Sequence, residues 1–206
     1  AYELGVRLVG SEMCIRDSSN TGNEAEFNRA APDRVSFHFT RSPLHADPAN
    51  DGFKKMLGDV KNAMGDLSAC RVDYATYACT AGSMACPTDL LLGTMSDAGN
   101  VSANSTAQAI LAALSAVGAK KIVMASPYTD ETNAHEAHYL SDHGIEVLAS
   151  TGLSLNTSLE NIQKISRIPP PDVFEHAKSI DKAEADALLI CCTDFNTFDV
   201  IDPLEH

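Results

Sequence analysis

Apolar residues recur at two different spacings along this chain, and the two spacings alternate. Continuous or alternating apolar runs predict strands, whereas apolar residues three and four positions apart predict helices. This order is typical of parallel sheets that helices cover on both faces, so we predict an α/β fold. The predicted strands cover residues 4–9, 35–39, 72–78, 121–125, 145–149 and 187–191. The predicted helices cover residues 23–31, 52–64, 105–117, 131–143, 158–165 and 172–183, the last two on either side of a proline loop at 169–171.

One strand and its flanking residues occur twice in the chain. Asp73 precedes a β-rich segment that ends in a Cys-Thr pair at Cys79, and Asp186 precedes one that ends in a Cys-Thr pair at Cys192. The cysteine follows the aspartate by six residues in both cases. The repeat predicts two pseudo-symmetric βαβ halves, each with a cysteine at the C-terminal end of a strand, where open α/β sheets bind ligands. The same register selects Cys192 over Cys191 as the partner of Cys79.

A cysteine between a strand and a helix is well placed for chemistry. The free amides of the first helical turn stabilise its thiolate, and the small or hydroxylic residues 80–83 after Cys79 let those amides approach an anion closely. Two such thiols that face one cavity can act as a nucleophile and a proton donor. Cysteine is also an ordinary core residue, which is our interpretation of Cys70, Cys86 and Cys191.

The charge of the chain excludes two classes of partner. There are 15 lysines and arginines against 28 aspartates and glutamates, a formal net charge of −13 over 206 residues. Nucleic acids and anionic membranes bind through clustered cations, so we expect neither. No apolar run is long enough to span a membrane and the first twenty residues do not form a secretory signal, so we expect a cytoplasmic protein. The chain has no G-x-G-x-x-G or Walker-type phosphate motif, so we expect no nucleotide cofactor.

A metal site is the first alternative to a cysteine site. His135, His138 and His143 lie on one predicted helix. However, His135 and His138 are one residue too close for the H-E-x-x-H zinc pattern, and the chain has no C-x-x-C. We therefore interpret the histidines as a solvated helix face and predict no metal.

Four short motifs are more specific together than each is alone. They are Asn20, the Tyr-Ala-Cys-Thr-Ala-Gly-Ser turn at 77–83, the Ser-Pro-Tyr-Thr turn at 126–129 and the Cys-Cys-Thr at 191–193. In this order they resemble the maleate isomerase and arylmalonate decarboxylase family, which belongs to the aspartate/glutamate racemase superfamily. The resemblance spans about residues 19–206 and implies the racemase-like α/β fold.

The resemblance implies a role for each matching residue. Cys79 matches the nucleophilic cysteine and Cys192 the acid/base cysteine. Decarboxylases of the family keep only the second, so the presence of both favours isomerisation or racemisation. The positions that hold a substrate carboxylate match Asn20, the amides of Thr80 and Ala81, Tyr128, Asn156 and Thr193.

The activity that the resemblance implies is a cofactor-independent cis–trans isomerisation of maleate or a similar enedioate to the trans form. The partner would be a small dicarboxylate substrate, and a homodimer is one open option for the assembly. Three alternatives stay open at this point. They are an aspartate/glutamate-type amino-acid racemase, an arylmalonate-type decarboxylase and a non-catalytic fragment.

Residues 1–18 are set apart from the rest. Residues 13–18 read Met-Cys-Ile-Arg-Asp-Ser, which matches the translated end of a common transposase sequencing adapter. The alternative is a genuine loop after the strand predicted at 4–9. We therefore predict an unreliable or artefactual segment over 1–18 and one racemase-like domain of two intertwined halves over 19–206, truncated at both ends.

Overall fold

The computed structural model describes residues 10–17 (backbone only), 20–45 and 47–206. Strands and helices alternate there as the apolar pattern predicts, so the α/β fold class is confirmed. The strands are β1 Gly10–Asp17, β2 Val35–Ser42, β3 Tyr74–Tyr77, β4 Ser102–Ser105, β5 Lys121–Ser126, β6 Glu146–Gly152 and β7 Ala187–Ile190. The helices are α1 Asn23–Ala30, α2 Lys54–Ser68, α3 Thr80–Ala85, α4 Thr88–Gly99, α5 Thr106–Val117, α6 Asp130–Asp142, α7 Leu159–Ile162, α8 Pro170–Lys178 and α9 Ile201–Glu205.

The strands form two parallel sheets whose orders correspond. The first sheet has the order β2-β1-β3-β4, and the second has the order β6-β5-β7. In each sheet the second strand along the chain pairs on one side of the first, and the third strand pairs on its other side. The two halves predicted from the repeat therefore correspond strand by strand, with β1, β2 and β3 matching β5, β6 and β7.

Each sheet is held against its helices by a separate apolar core. In the first half, Met56, Val60 and Met64 recur every four residues along α2 and pack with Leu91 and Met95 of α4 against β3. This spacing places the three α2 side chains on one helix face, which burial of apolar surface holds against the sheet. No helix in the part of the chain that the structure describes is long and apolar enough to cross a membrane.

The second core lies between α5, α6 and the second sheet. Leu114 of α5, Ile122 of β5 and Leu140 of α6 are among its buried members. Met84 of α3 belongs to this core too, although α3 follows a strand of the first sheet. The helix that begins after Cys79 therefore connects the two halves.

Four parts of the predicted secondary structure need correction. Helix α4 and strand β4 were not predicted, because Gly93 interrupts the apolar run of α4 and β4 is the polar sequence Ser-Ala-Asn-Ser. The loop predicted at 169–171 contains the start of α8, since a proline in the first helical turn loses no hydrogen bond. Helix α9 was also not predicted.

The first strand that the structure describes was not predicted. The backbone of Gly10–Asp17 forms β1, which pairs in parallel with both β2 and β3. The strand predicted at 4–9 lies outside the described residues and stays a prediction. The origin of residues 1–18 and the domain boundary after them stay predictions.

Candidate active site

Cys79 and Cys192 occupy equivalent positions in the two sheets. Strand β3 begins directly after Asp73 and ends two residues before Cys79, and β7 begins directly after Asp186 and ends two residues before Cys192. Both cysteines are partly exposed free thiols, whereas Cys191 is buried. The equal Asp-to-Cys spacing therefore reflects equal strand placement, and it brings Cys192 rather than Cys191 to the accessible position.

The other described cysteines have the surroundings of core residues or of plain surface. Burial raises the pKa of the Cys86 thiol to about 11 and raises that of Cys191 well above its ordinary value. Cys70 is exposed on the surface. A buried thiol with a raised pKa is a poor nucleophile, because the thiolate is the reactive form.

Cys79 lies at the start of α3 with its sulfur against a glycine. Its backbone is extended (φ −147°, ψ 116°), and α3 begins at the next residue without a side-chain cap. A Cβ at Gly82 would lie 3.1 Å from the Cys79 sulfur and 3.0 Å from the Tyr77 hydroxyl oxygen. A side chain at position 82 would therefore have to push the thiol or the Tyr77 ring a few tenths of an ångström away from the helix.

Thr80 and Ala81 form the first turn of α3, directly after the Cys79 thiol. The first amides of a helix have no partner within the helix and carry part of its positive dipole end. These are the two amides that the family resemblance matches to a substrate carboxylate. That role stays a prediction.

Cys192 adopts a different backbone conformation from Cys79. Its φ is +85°, in the left-handed region that residues with a Cβ seldom occupy. The amide of Phe195 donates a hydrogen bond to the Cys192 carbonyl (3.1 Å) and closes a tight turn. Such strain persists only where surrounding contacts hold it, and it is common at active sites.

Tyr128 lies near both site cysteines. It follows β5 in the second half and is only 6% exposed. Its hydroxyl forms a hydrogen bond with Cys192. Burial raises the pKa of Tyr128 well above its ordinary value, and negative charge on Cys192 or Cys79 raises it further. The hydroxyl therefore stays protonated, as a hydrogen-bond donor next to the Cys192 thiol.

Asn20 and Thr193 join the turns that follow three different strands. The Asn20 side-chain amide donates to Thr193 Oγ1 (3.0 Å), and that hydroxyl donates to the carbonyl of Ala78 (3.0 Å). Asn20 is 1% exposed, and the Arg41 guanidinium donates to its carbonyl (2.7 Å). Three of the predicted site segments are thus in direct contact around Cys79.

Asn156 lies beside the loop that carries Tyr128. Its Oδ1 accepts a hydrogen bond from the amide of Thr129 (2.7 Å), and its Nδ2 donates to Thr132 Oγ1 (2.8 Å). These contacts hold the loop after β5. The predicted contact of Asn156 with a substrate carboxylate stays a prediction.

Sequence reasoning missed two buried acidic residues near the site. Asp194 accepts hydrogen bonds through Oδ1 from the amides of Thr21 (2.8 Å) and Gly22 (2.9 Å) and so holds the turn after Asn20. Glu136 is fully buried on α6. A signal for Glu136 was available, because it lies on the helix face of Leu140, four residues away, which is apolar.

The histidines of α6 lie on its solvent side, as the sequence interpretation has them. His135, His138 and His143 are exposed. His138 forms an ion pair with Asp142 at 3.6 Å, and His143 Nδ1 contacts the Tyr139 carbonyl at 2.8 Å. Among the described residues, no group of three histidine, cysteine or acidic side chains could hold a metal ion.

Known proteins share both the sequence and the fold of this chain. The maleate isomerase of Geobacillus stearothermophilus is 27% identical over 192 residues, which cover 85% of this chain and 74% of that protein. A mutant of the Nocardia farcinica maleate cis-trans isomerase has been solved with a covalently bound succinylcysteine intermediate. Its superposition on this chain gives a TM-score of 0.80 at 20% identity, and the matched region covers 95% of this chain and 83% of the Nocardia farcinica chain. The maleate isomerase of Pseudomonas putida S16 with maleate gives 0.79 at 20% identity, with 95% and 82% coverage.

The family follows from the remaining comparison. The sequence profile described as arylmalonate decarboxylase matches residues 46–206, which is more than half of the chain. The matched region includes both cysteines and the Tyr128 loop. The resemblance inferred from the four motifs is therefore confirmed, and this chain belongs to the arylmalonate decarboxylase family.

Proposed function

We propose that this chain is an isomerase that converts maleate, or a closely similar cis-enedioate, to the trans isomer through Cys79 and Cys192. The observation that carries the proposal is the pair of partly exposed cysteines at equivalent strand ends, with the Tyr128 hydroxyl hydrogen-bonded to Cys192 and close enough to Cys79 to be affected by its charge. Similarity to maleate isomerases over most of the chain supports the same activity.

The first step is an addition to the double bond. The Cys79 thiolate gives an electron pair to one alkene carbon and forms a C–S bond. The π electrons move to the other alkene carbon, which takes the proton of the Cys192 thiol. The result is a succinyl group on the Cys79 sulfur and a thiolate at Cys192. The Nocardia farcinica relative contains a covalently bound succinylcysteine, which is the adduct that this step would form.

The second step reverses the first after a rotation. The former double bond is now single, so its two carboxylate-bearing ends can turn from the cis to the trans arrangement. The Cys192 thiolate then removes a proton, the double bond forms again, and the C–S bond breaks with its electron pair returning to Cys79. Both cysteines recover their starting states, so the cycle needs no oxidant, reductant or co-reactant.

The substrate carboxylates would be held by neutral hydrogen-bond donors. A net charge of −13 opposes a dianion at long range, so attraction must come from local groups. Tyr128 can donate to the carboxylate that gains charge as the thiolate adds, and such a donor stabilises the transition state more than the ground state. The other proposed donors are Asn20, Thr193, Asn156 and the amides of Thr80 and Ala81.

The proposal also includes a cytoplasmic location and assembly as a homodimer. The location is supported by sequence composition alone. Light scattering coupled to size-exclusion chromatography of the purified protein would test the dimer, and a monomeric mass would contradict it.

The activity is tested by proton NMR with a panel of substrates in deuterated buffer. The panel contains maleate, substituted maleates, an arylmalonate, aspartate and glutamate. We expect the alkene signal of maleate to be replaced by that of fumarate, with no turnover by a Cys79→Ala/Cys192→Ala double variant. Deuterium uptake at the α-carbon of an amino acid would instead indicate a racemase, and loss of carbon dioxide from the arylmalonate a decarboxylase. Either result without maleate turnover contradicts the proposal.

A further inference from the structure

One ionisable side chain lies buried beside the site and has no part in the steps above. Glu136 of α6 is 0% exposed, and the one hydrogen-bonding neighbour of its carboxyl among the described residues is the Cys191 thiol, a weak donor. In the same part of the chain, the hydroxyl of Tyr139 and the side-chain nitrogen of Asn133 are buried without a hydrogen-bond partner. A carboxylate with so little hydrogen bonding is costly in such surroundings, so a neutral acid is the favoured form.

The carboxyl of Glu136 faces the half of the site that contains Cys192. It lies next to the Cys191 thiol, and negative charge on Glu136 raises the pKa of both Cys191 and Tyr128. Tyr128 forms a hydrogen bond with Cys192, and Cys191 precedes Cys192 in the chain. Glu136 therefore reaches Cys192 through two intermediate side chains.

Among the residues whose side chains the structure describes, the elements packed around Glu136 bring no other charge close to it. Helix α3, which packs against α6, has the sequence Thr-Ala-Gly-Ser-Met-Ala. The only charged residue of β5 is Lys121 and the only one of β6 is Glu146, and both are exposed at the starts of their strands. The titratable groups that face Glu136 are therefore Cys191 and Tyr128, with the two site cysteines beyond them.

We propose that Glu136 is a positioning residue whose protonation state controls how readily Cys192 gives up its proton. While Glu136 is neutral, the Cys192 thiolate can form next to Tyr128. Once Glu136 is ionised, two negative charges would share one poorly solvated region, and the Cys192 thiolate is suppressed. This inference rests on the proposed function, in which Cys192 alternates between thiol and thiolate.

The Glu136 carboxyl changes its protonation state at mildly alkaline pH. Burial raises the pKa of the Glu136 carboxyl from 4.5 to about 8, against a smaller opposite effect of the Cys191 thiol. At neutral pH the group is mostly protonated, and it ionises as the pH passes about 8. Proton transfer by Cys192 should therefore become harder over the same range.

The first test measures the reactivity of Cys192 without any turnover. Wild-type protein and a Glu136→Gln variant are treated with iodoacetamide from pH 6 to pH 10, and alkylation of Cys192 is followed by peptide mass spectrometry. Glutamine has the size of glutamic acid and cannot ionise. Removing a nearby negative charge lowers a thiol pKa by about one unit or more, so we expect about tenfold faster alkylation of Cys192 in the variant above pH 8. Below pH 7 the two proteins should react alike.

The control is Glu131→Gln, an exposed residue in the first turn of the same helix. This variant should follow the wild type at every pH. The proposal is overturned if Glu136→Gln and wild type coincide over the whole range, or if they differ equally at pH 6 and pH 10, as a purely steric effect would produce.

A second measurement uses wild-type protein, so it does not depend on whether a variant folds. In wild-type protein with ¹³C-labelled glutamate carboxyls, one resonance should titrate near pH 8. Titration of every glutamate near pH 4.5 would overturn the proposal. Neither measurement depends on maleate turnover, so both distinguish failure of this inference from failure of the proposed function.

Discussion

Cys79 and Cys192 follow parallel strands at the same distance, yet the backbone leaves the strand differently at the two positions. At Cys79 it is extended and enters α3 at once, so helical amides lie beside the thiol. At Cys192 φ is +85°, the chain closes a turn, and the next helix, α9, begins only at Ile201. Helical amides favour a thiolate, so the first position suits a nucleophile and the second a thiol that keeps its proton.

The neighbours of the two sulfurs differ in the same sense. Cys79 lies against Gly82 and the Tyr77 ring, which restrict the position of its sulfur. Cys192 lies against Tyr128 and, beyond Cys191, the buried Glu136. The repeat in the sequence therefore supplies two equivalent thiols, and the contacts that do not repeat give them different chemical roles.

Loss of either site cysteine should have the largest effect. We expect Cys79→Ala and Cys192→Ala each to lower kcat for maleate by about 10³-fold or more, because one lacks the nucleophile and the other the proton donor. Cys191→Ala should keep most of the activity. Steady-state NMR assays on variants with matching circular dichroism spectra measure this. An inactive Cys191→Ala beside an active Cys192→Ala would show that the assumed pairing is wrong.

Removal of the Tyr128 hydroxyl, which forms a hydrogen bond with Cys192, should have the next largest effect. Tyr128→Phe should lower kcat by about 10²–10³-fold, the usual loss for one donor to a developing oxyanion. The phenyl ring fills the same space, so the fold should not change. Tyr139→Phe is the matched control, since the Tyr139 hydroxyl is buried and has no hydrogen-bond partner in the part of the chain that the structure describes. Wild-type kinetics of Tyr128→Phe with every diacid that is turned over would make Tyr128 a packing residue.

Glu136 should also make the free energy of unfolding of the protein depend on pH. Its pKa is raised on folding, so its contribution to the free energy of unfolding is full below the unfolded value of 4.5 and is lost as the pH rises to about 8. Between pH 6 and pH 7.5 the wild type should lose about 2 kcal/mol more than Glu136→Gln. Urea denaturation at the two pH values measures this difference. Parallel loss in both proteins would contradict it.

The side of the site that contains Cys79 should respond to added side-chain volume rather than to charge. Gly82→Ala places a Cβ 3.1 Å from the Cys79 sulfur and displaces it, so we expect a loss of about tenfold in kcat with little change in KM. Gly93→Ala is the control, because a Cβ at this exposed position of α4 meets nothing within 4 Å. Unchanged kcat in Gly82→Ala would show that the position of this sulfur is not restricted by the glycine.

Much of the fold could be predicted because its signals are local. Helix α5 begins where the Ser105 side chain accepts a hydrogen bond from the amide of Gln108, and it ends at Gly118, whose φ is +73°. Both signals are visible in the sequence, and the predicted helix at 105–117 differs from the observed one by a single residue. The strand predicted at 121–125 likewise differs from β5 by one residue, because its side chains are buried from Ile122 onward.

The elements that were missed depend on partners distant in the sequence. Strand β4 is polar and exists because it pairs with β3, from Tyr74 beside Ser102 to Tyr77 beside Ser105. No periodicity within the four residues Ser-Ala-Asn-Ser can indicate that pairing. The same holds for Asp194, whose carboxylate is defined by the amides of Thr21 and Gly22 more than 170 residues away.

The sequence by itself indicated the strands that precede Cys79 and Cys192, and thereby that the two cysteines stand at equivalent strand ends, because apolar runs of this kind are local signals. Only the tertiary structure decided that the two thiols differ. Their differences come from the left-handed turn at Cys192, from the hydrogen bond of the Tyr128 hydroxyl with Cys192, and from the buried carboxyl of Glu136. Each of these depends on packing between segments far apart in the chain, which sets burial and charge at the site and leaves no local pattern in the sequence.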